Sequence, residues 1–269
     1  MFIAHTKAKL HEELDLLRTR GGVRSTVALV VCRGNFHDGH GAVMNVANTL
    51  ADLLVVAALP SDDQQDDNVV SSTEFRDIGF VEKHSADIFY LPNVPSGPYP
   101  EISLPGVPEQ YRISNELLNN YLCLINDVQP DFMIWGERNF IEFHQVQSLV
   151  AAIRVRTQLQ CIPTVRHANG AAVTRRDEVW TDQQRESLAL IFQTLKDTGD
   201  AIRADTNNVE HAAGTGRMVL NKAGLSVTEF AVLDQQDLTP ATVKTKSFRI
   251  MATVSLDGEE FTDNIGINL

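Results

Sequence analysis

Two histidines stand three residues apart in the stretch Val27-Ala-Leu-Val-Val-Cys-Arg-Gly-Asn-Phe-His-Asp-Gly-His-Gly-Ala-Val43. His37 and His40 bracket Asp38 and Gly39, with Gly34 and Gly41 on either side. Two imidazole donors side by side can stabilise the charge that builds on a phosphate as it is attacked. His-x-x-His is also half of a metal-ligand set, although no cluster of Cys or His supplies the other half. The third reading is a pair of loop histidines with ordinary hydrogen bonds.

Cations recur at two later turns. Gly136-Glu-Arg-Asn139 places Arg138 and Asn139 directly after an apolar run. Thr174, Arg175 and Arg176 gather a hydroxyl and two fixed positive charges in an otherwise acidic chain. Guanidinium groups pair in fork geometry with phosphate oxygens, so a polyphosphate site fits both turns. A third polar stretch, Ser61 to Asn68, is acidic and follows an apolar run, which makes it a candidate substrate loop or a solvated one.

The elements around these residues position them. Val27 to Cys32 is continuously apolar, as a central parallel strand covered on both faces must be. A helix beginning near Gly41 carries Val43, Val46, Ala47 and Leu50, and its first N–H groups point at the histidine turn. Further strands are expected at Leu53–Leu59, Asp87–Leu91, Phe132–Trp135 and Leu159–Val165. Helices are expected at Lys7–Thr19, Thr73–Lys83, Ser114–Asn126 and Phe140–Val155. Pro92 to Pro108, with six prolines, reads as an extended connection. This alternation predicts a Rossmann-like parallel sheet whose carboxyl edge holds the ligand. It stops after Asp177. Helices at Thr181–Leu195 and Asn207–Lys222, the latter interrupted by Gly214 and Gly216, and strands at Val227–Leu233 and Phe248–Val254 predict a smaller α+β domain. The expected division is 1–177 and 178–269.

A chain of 269 residues with net charge −12 argues against a duplex-binding surface, so no nucleic-acid partner is expected. No apolar run reaches the length of a membrane span. Met1 to Leu10, broken by His5, Lys7 and Lys9, does not read as an export signal. Three widely spaced cysteines, Cys32, Cys123 and Cys161, fit buried free thiols in a reducing cytoplasm.

Several of these segments, in this order, resemble the pantothenate synthetase (pantoate–β-alanine ligase) family of the nucleotidyltransferase superfamily. They are Val27-Ala-Leu-Val, Gly34-Asn-Phe-His-Asp-Gly-His40, Asn126-Asp-Val-Gln-Pro-Asp131, Gly136-Glu137, Pro163-Thr-Val-Arg166 and Asn169-Gly170; Leu238-Thr-Pro240 and Asp263-Asn264 also fit. The resemblance implies a two-step, AMP-forming reaction that uses ATP and Mg²⁺. An acid carboxylate attacks the ATP α-phosphate, and an amine then displaces AMP from the acyl adenylate. It implies that Arg33, Gly34, His37, Gly39 and His40 hold ATP, with His40 the principal catalytic histidine. Gly136, Arg138 and Asn139 would hold phosphates, Val165 the adenine through its backbone, and Val173, Thr174, Arg175 and Arg176 the triphosphate. His37, Arg138 and Arg176 join His40 as candidate catalytic residues, and the family implies a homodimer.

The departures from the family pattern cluster. Val31-Cys32-Arg33 replaces Pro-Thr-Met, and Arg138-Asn139 replaces Lys-Asp, so a carboxylate that could serve Mg²⁺ is lost. Gln64 keeps the place of one substrate-binding glutamine, while Glu142 replaces the other. Asp62, Asp63 and Glu142 would suit an acid that carries an amine. The primary expectation is therefore an amide ligase with altered acid specificity. The alternatives are an authentic pantoate–β-alanine ligase, a nucleotidyltransferase acting on a phosphate ester, and a non-catalytic nucleotide-binding relative.

Overall fold

The computed structural model describes residues 1–19, 23–59, 76–92, 97–174, 176–177, 180–256 and 258–269. The chain forms two compact units. The first comprises Met1–Leu104 and Ile113–Pro163, the second Pro105–Arg112 and Thr164–Leu269. Residues 164–177, grouped with the nucleotide-binding part on sequence grounds, thus belong to the second unit.

The first unit is a six-stranded, all-parallel sheet in the order β1-β4-β3-β2-β5-β6. Its strands are β1 (Phe2–Ala4), β2 (Val27–Cys32), β3 (Leu53–Ala58), β4 (Ile88–Tyr90), β5 (Phe132–Gly136) and β6 (Gln158–Ile162). The helices are α1 (Lys7–Arg18), α2 (Asp38–Leu50), α3 (76–83), α4 (Asn115–Val128) and α5 (Phe140–Ile153). Leu54, Val55 and Val56 of β3 and Ala28, Leu29 and Val30 of β2 are buried on both faces, as parallel strands flanked by helices require. Ala28, Val30, Val43, Met44, Ala47, Leu54 and Val56 form one continuous core between sheet and helices. β1 is not foreseen from the sequence, because three residues are too few to show a period.

After β2 the chain builds outward through β3 and β4, then returns to lay β5 on the other side of β2. The pair β2/β5 is therefore the topological switch point, where open α/β sheets take their ligands. The two strands also part there. Their register covers Ala28↔Phe132 and Leu29↔Met133, against six paired residues between β2 and β3. Beyond that register the carboxyl ends Val30–Cys32 and Ile134–Gly136 are not paired with each other.

The second unit contains an antiparallel sheet β7 (Ser226–Asp234), β8 (Ser247–Leu256) and β9 (Glu259–Asn268), covered by α6 (Asp182–Ala204) and α7 (Val209–Lys222). Its core includes Leu188, Ile191, Leu195, Ile202, Leu220, Phe248, Ile250 and Phe261. α7 is continuous through Gly214 and Gly216, so those glycines do not break it. β9 escapes the sequence reading because Asp263 and Asn264 are buried in it and spoil the apolar alternation. Of the cysteines, Cys32 is buried but Cys123 is exposed on α4, which corrects the expectation that all three are buried.

Candidate active site

The histidine turn leaves β2 at Cys32 and enters α2 at Asp38. Gly34 and Asn35 both adopt positive φ, +69° and +52°, which reverses the chain sharply. Asp77, buried on α3, fixes this reversal: its carboxylate accepts the N–H of Asn35 at 3.0 Å and of Phe36 at 3.1 Å. Nothing in the local sequence around Asp77 signals that role, since its partners lie far upstream.

His37 is the N-cap of α2. Its Nδ1 accepts the N–H of Gly39 at 3.1 Å, an approach a side chain at position 39 would block, because a Cβ there would lie 2.7 Å from the ring. His40 answers from one turn on, its Nδ1 accepting the N–H of His37 at 3.3 Å. An imidazole nitrogen that accepts carries no proton, so both rings hold theirs on Nε2. The ring centroids are 4.2 Å apart. Burial first, then the neighbouring His37 and the Arg138 charge, push His40 down to about 3. His40 is thus a neutral N–H donor across the ordinary pH range, at the positive end of a helix, where anions bind.

On the neighbouring strand, β5 ends at Gly136 and a 3₁₀ turn, Glu137–Asn139, leads into α5. Arg138 sits in that turn, and its charge is felt at His40, so these two expected site residues share one edge of the sheet. Asn139 is exposed just before α5 and makes no side-chain cap.

Arg33 and Glu142, given separate tasks on sequence grounds, are bonded to each other. Arg33 Nη2 forms an ion pair with Glu142 Oε2. The Tyr121 hydroxyl donates to Glu142 Oε1, and Trp135 Nε1 donates to the same oxygen at 3.5 Å. Burial and the Glu142 charge hold the Tyr121 phenol well above its ordinary range, so it donates as a neutral hydroxyl. Both oxygens of Glu142 are engaged, which leaves it poorly placed to bind an amine. Asp62, Asp63 and Gln64 lie outside the described residues.

In the second unit, Val165 and Val173 face each other in a hairpin, with Val173 N–H donating to Val165 C=O at 2.9 Å and Gly170 at φ +96° making the turn. The Thr174 hydroxyl donates to Asp177 Oδ1 at 3.0 Å and accepts from Arg176 N–H at 3.1 Å and from Trp180 Nε1 at 3.4 Å. One donor and two acceptor positions are all a hydroxyl has, so it braces its own loop. Arg176 forms an ion pair with Glu259. Arg166, beside the hairpin turn, holds Asp263 through two nitrogens at 2.7 and 2.9 Å and lies 3.7 Å from the centre of the Phe192 ring. Arg175 lies outside the described residues. Among the described residues no group of three or more His, Cys, Asp or Glu could hold a metal ion, and no helix is long and apolar enough to cross a membrane.

A doubly wound parallel sheet with an imidazole pair at the switch point, followed in the chain by a small α+β unit, defines a nucleotide-binding α/β protein of the kind that handles phosphates at a helix N-terminus. The family model for pantoate–β-alanine ligase matches residues 2–266, and the chain belongs to that family. It is 28% identical over 286 aligned positions to the pantothenate synthetase of Methylococcus capsulatus, covering 100% of this chain and 99% of that one. It is 26% identical to that of Pseudomonas paraeruginosa over 90% and 92% of the two chains. In fold it is similar to a pantothenate synthetase from Thermus thermophilus, with a TM-score of 0.81 at 18% identity over 98% and 99% of the chains. A Francisella tularensis pantoate–β-alanine ligase, solved with β-γ ATP and β-alanine, gives a TM-score of 0.71 at 18% identity over 98% and 97%.

Proposed function

We propose that this chain is an ATP-dependent, AMP-forming ligase that joins pantoate to β-alanine. The observation that carries the reading is the pair of Nε2–H imidazoles at the start of α2, beside Arg138 and at the switch point of the sheet. The ATP and β-alanine bound by the Francisella relative support the same substrates here.

In the first step a pantoate carboxylate oxygen bonds to the α-phosphorus, and the bond from that phosphorus to the bridging oxygen breaks, releasing pyrophosphate. Charge gathers on the non-bridging oxygens. Fixed donors aimed at them lower the barrier without a proton changing hands, the part assigned to His40 and His37. Arg138 neutralises phosphate charge. Mg²⁺, if bound with ATP, would help neutralise the phosphate charge, with no cluster of protein ligands among the described residues to hold it. In the second step the β-alanine amine attacks the acyl carbon, loses a proton, and AMP leaves. The expectation of an amine-bearing acid loses one of its three supports, because Glu142 already pairs with Arg33.

Pyrophosphate exchange into ATP tests the reading. It should require pantoate, and adding β-alanine should yield AMP and pantothenate in equal amounts. Exchange with no acid, or ADP as the product, would refute it.

A further inference from the structure

Helix α3 turns one face to the histidine turn. Asp77 and Phe80 share that face, because residues three apart are neighbours on a helix. The buried Asp77 carboxylate accepts the Asn35 N–H on Oδ2 and the Phe36 N–H on Oδ1. The Phe80 ring stacks on the Phe36 ring, with centroids 5.8 Å apart. Just past the helix, His84 donates from Nδ1 to Asn45 Oδ1 at 3.1 Å, and its ring closes over Gly41, where a Cβ would lie 2.5 Å away. Phe36 is thus fixed from α3 by its backbone and by its ring. That ring meets the His40 imidazole edge-on, with centroids 5.3 Å apart. One more residue along the chain is His37. The place of both imidazoles is therefore set from α3, through Phe36.

A buried carboxylate is expensive to keep. Burial pushes Asp77 above the ordinary carboxylate range, against the two N–H bonds and the Arg76 charge, which favour its ionised form. A negative charge beside this turn also repels a triphosphate, so Asp77 is ill suited to bind ATP itself. What it offers is one acceptor oxygen for each of two successive N–H groups. An asparagine in its place would set an NH₂ group against one of them. Donors lower a barrier only where charge develops, so a small displacement of the turn costs rate before it costs affinity.

We propose that Asp77, aided by Phe80, is a positioning residue for acyl-adenylate formation: through Phe36 it fixes where the His37 and His40 donors stand, and so governs the rate of attack on the α-phosphate rather than the binding of ATP. Its effect runs through His40 and disappears where His40 is absent. The inference rests on the acid-adenylating function proposed above.

A double-mutant cycle tests it. Pantoate-dependent pyrophosphate release is followed in a single turnover for the wild-type chain, D77N, H40A and D77N/H40A. D77N should slow release by about 10–10²-fold, with the KM for ATP within about threefold. In the H40A background the same exchange should cost less than about twofold, because residues that act as a unit are not additive. An equal loss in both backgrounds reduces Asp77 to a brace of the fold, and a change confined to the KM for ATP makes it part of nucleotide binding; either overturns the proposal. Should circular dichroism show D77N unfolded, F80L, which keeps an apolar side chain but removes the stacked ring, takes its place in the cycle. Its loss should be smaller and should again depend on His40; a loss independent of His40 overturns the proposal. A wild-type chain that releases no pyrophosphate with pantoate fails at the earlier step and removes the ligase reading itself.

Discussion

In the reading proposed above, His40 serves as a donor because it is held from becoming an acid. Its Nδ1 is tied to the His37 N–H and its ring is desolvated, so the Nε2 proton stays where it is. Removing one such donor from a charge-stabilising site costs about 10²–10³ in rate. His40→Ala should therefore slow pantoate-dependent exchange by that factor, with a smaller change in the KM for ATP. The same substitution deletes half of the reciprocal cap on α2, which lowers stability by about 1 kcal/mol. Stopped-flow measurement of pyrophosphate release separates the two effects, and a wild-type rate in a folded variant would remove His40 from the chemistry. The turn depends equally on Asp77, which satisfies two successive N–H groups that a left-handed reversal would otherwise leave without acceptors.

At the scale of elements, α7 shows that two neighbouring glycines can have opposite purposes. Gly216 is buried, and a Cβ there would lie 2.4 Å from the Phe230 ring and 2.8 Å from Thr198 Oγ1; Gly214 has nothing within 4 Å. Gly214→Ala should raise stability by about 0.5–1 kcal/mol, the helix-propensity difference. Gly216→Ala should lower it by about 1–3 kcal/mol through overpacking. Urea unfolding of the two variants checks the signs, and two changes in the same direction would contradict this account of the packing. From sequence alone the pair reads only as an interruption, since spacing cannot tell an open glycine from a crowded one. The same limit governs the site. Val27–Cys32 and the glycine-spaced histidines are legible because strand, turn and helix follow one another in a single short stretch. Arg33 and Glu142 are 109 residues apart, and the Thr174 hydroxyl is claimed by Asp177 and Trp180. Partnerships of that kind depend on how the chain folds back on itself, and no local pattern encodes them. Asp77 is invisible in the sequence for the same reason.

For the molecule as a whole, the depressed pKa of His40 becomes a dependence of stability on pH. In the unfolded chain this imidazole protonates around pH 6.5; in the native state it does so only near 3. Between those values the unfolded state binds the additional proton, so stability rises with pH and is lost on acidification. From pH 7 to pH 5 the loss from this one group is about 2 kcal/mol. His40→Gln, which cannot titrate, should flatten that part of the profile. Urea midpoints at the two pH values provide the measurement, and parallel profiles for both proteins would show that His40 is not the source.

The ion pair between Arg33 and Glu142 also constrains how this sequence can drift. Changing Arg33 alone takes the cation from a largely buried carboxylate, although Tyr121 and Trp135 still donate to it. Changing Glu142 alone frees an exposed guanidinium and takes the acceptor from the buried Tyr121 hydroxyl, and leaving a buried donor without its acceptor costs about 1–3 kcal/mol. A change at either position therefore alters what the other can tolerate. Across homologous chains, charge at these two sites should be inherited or lost together, so that an alignment records a single joint event where two independent ones would otherwise be counted.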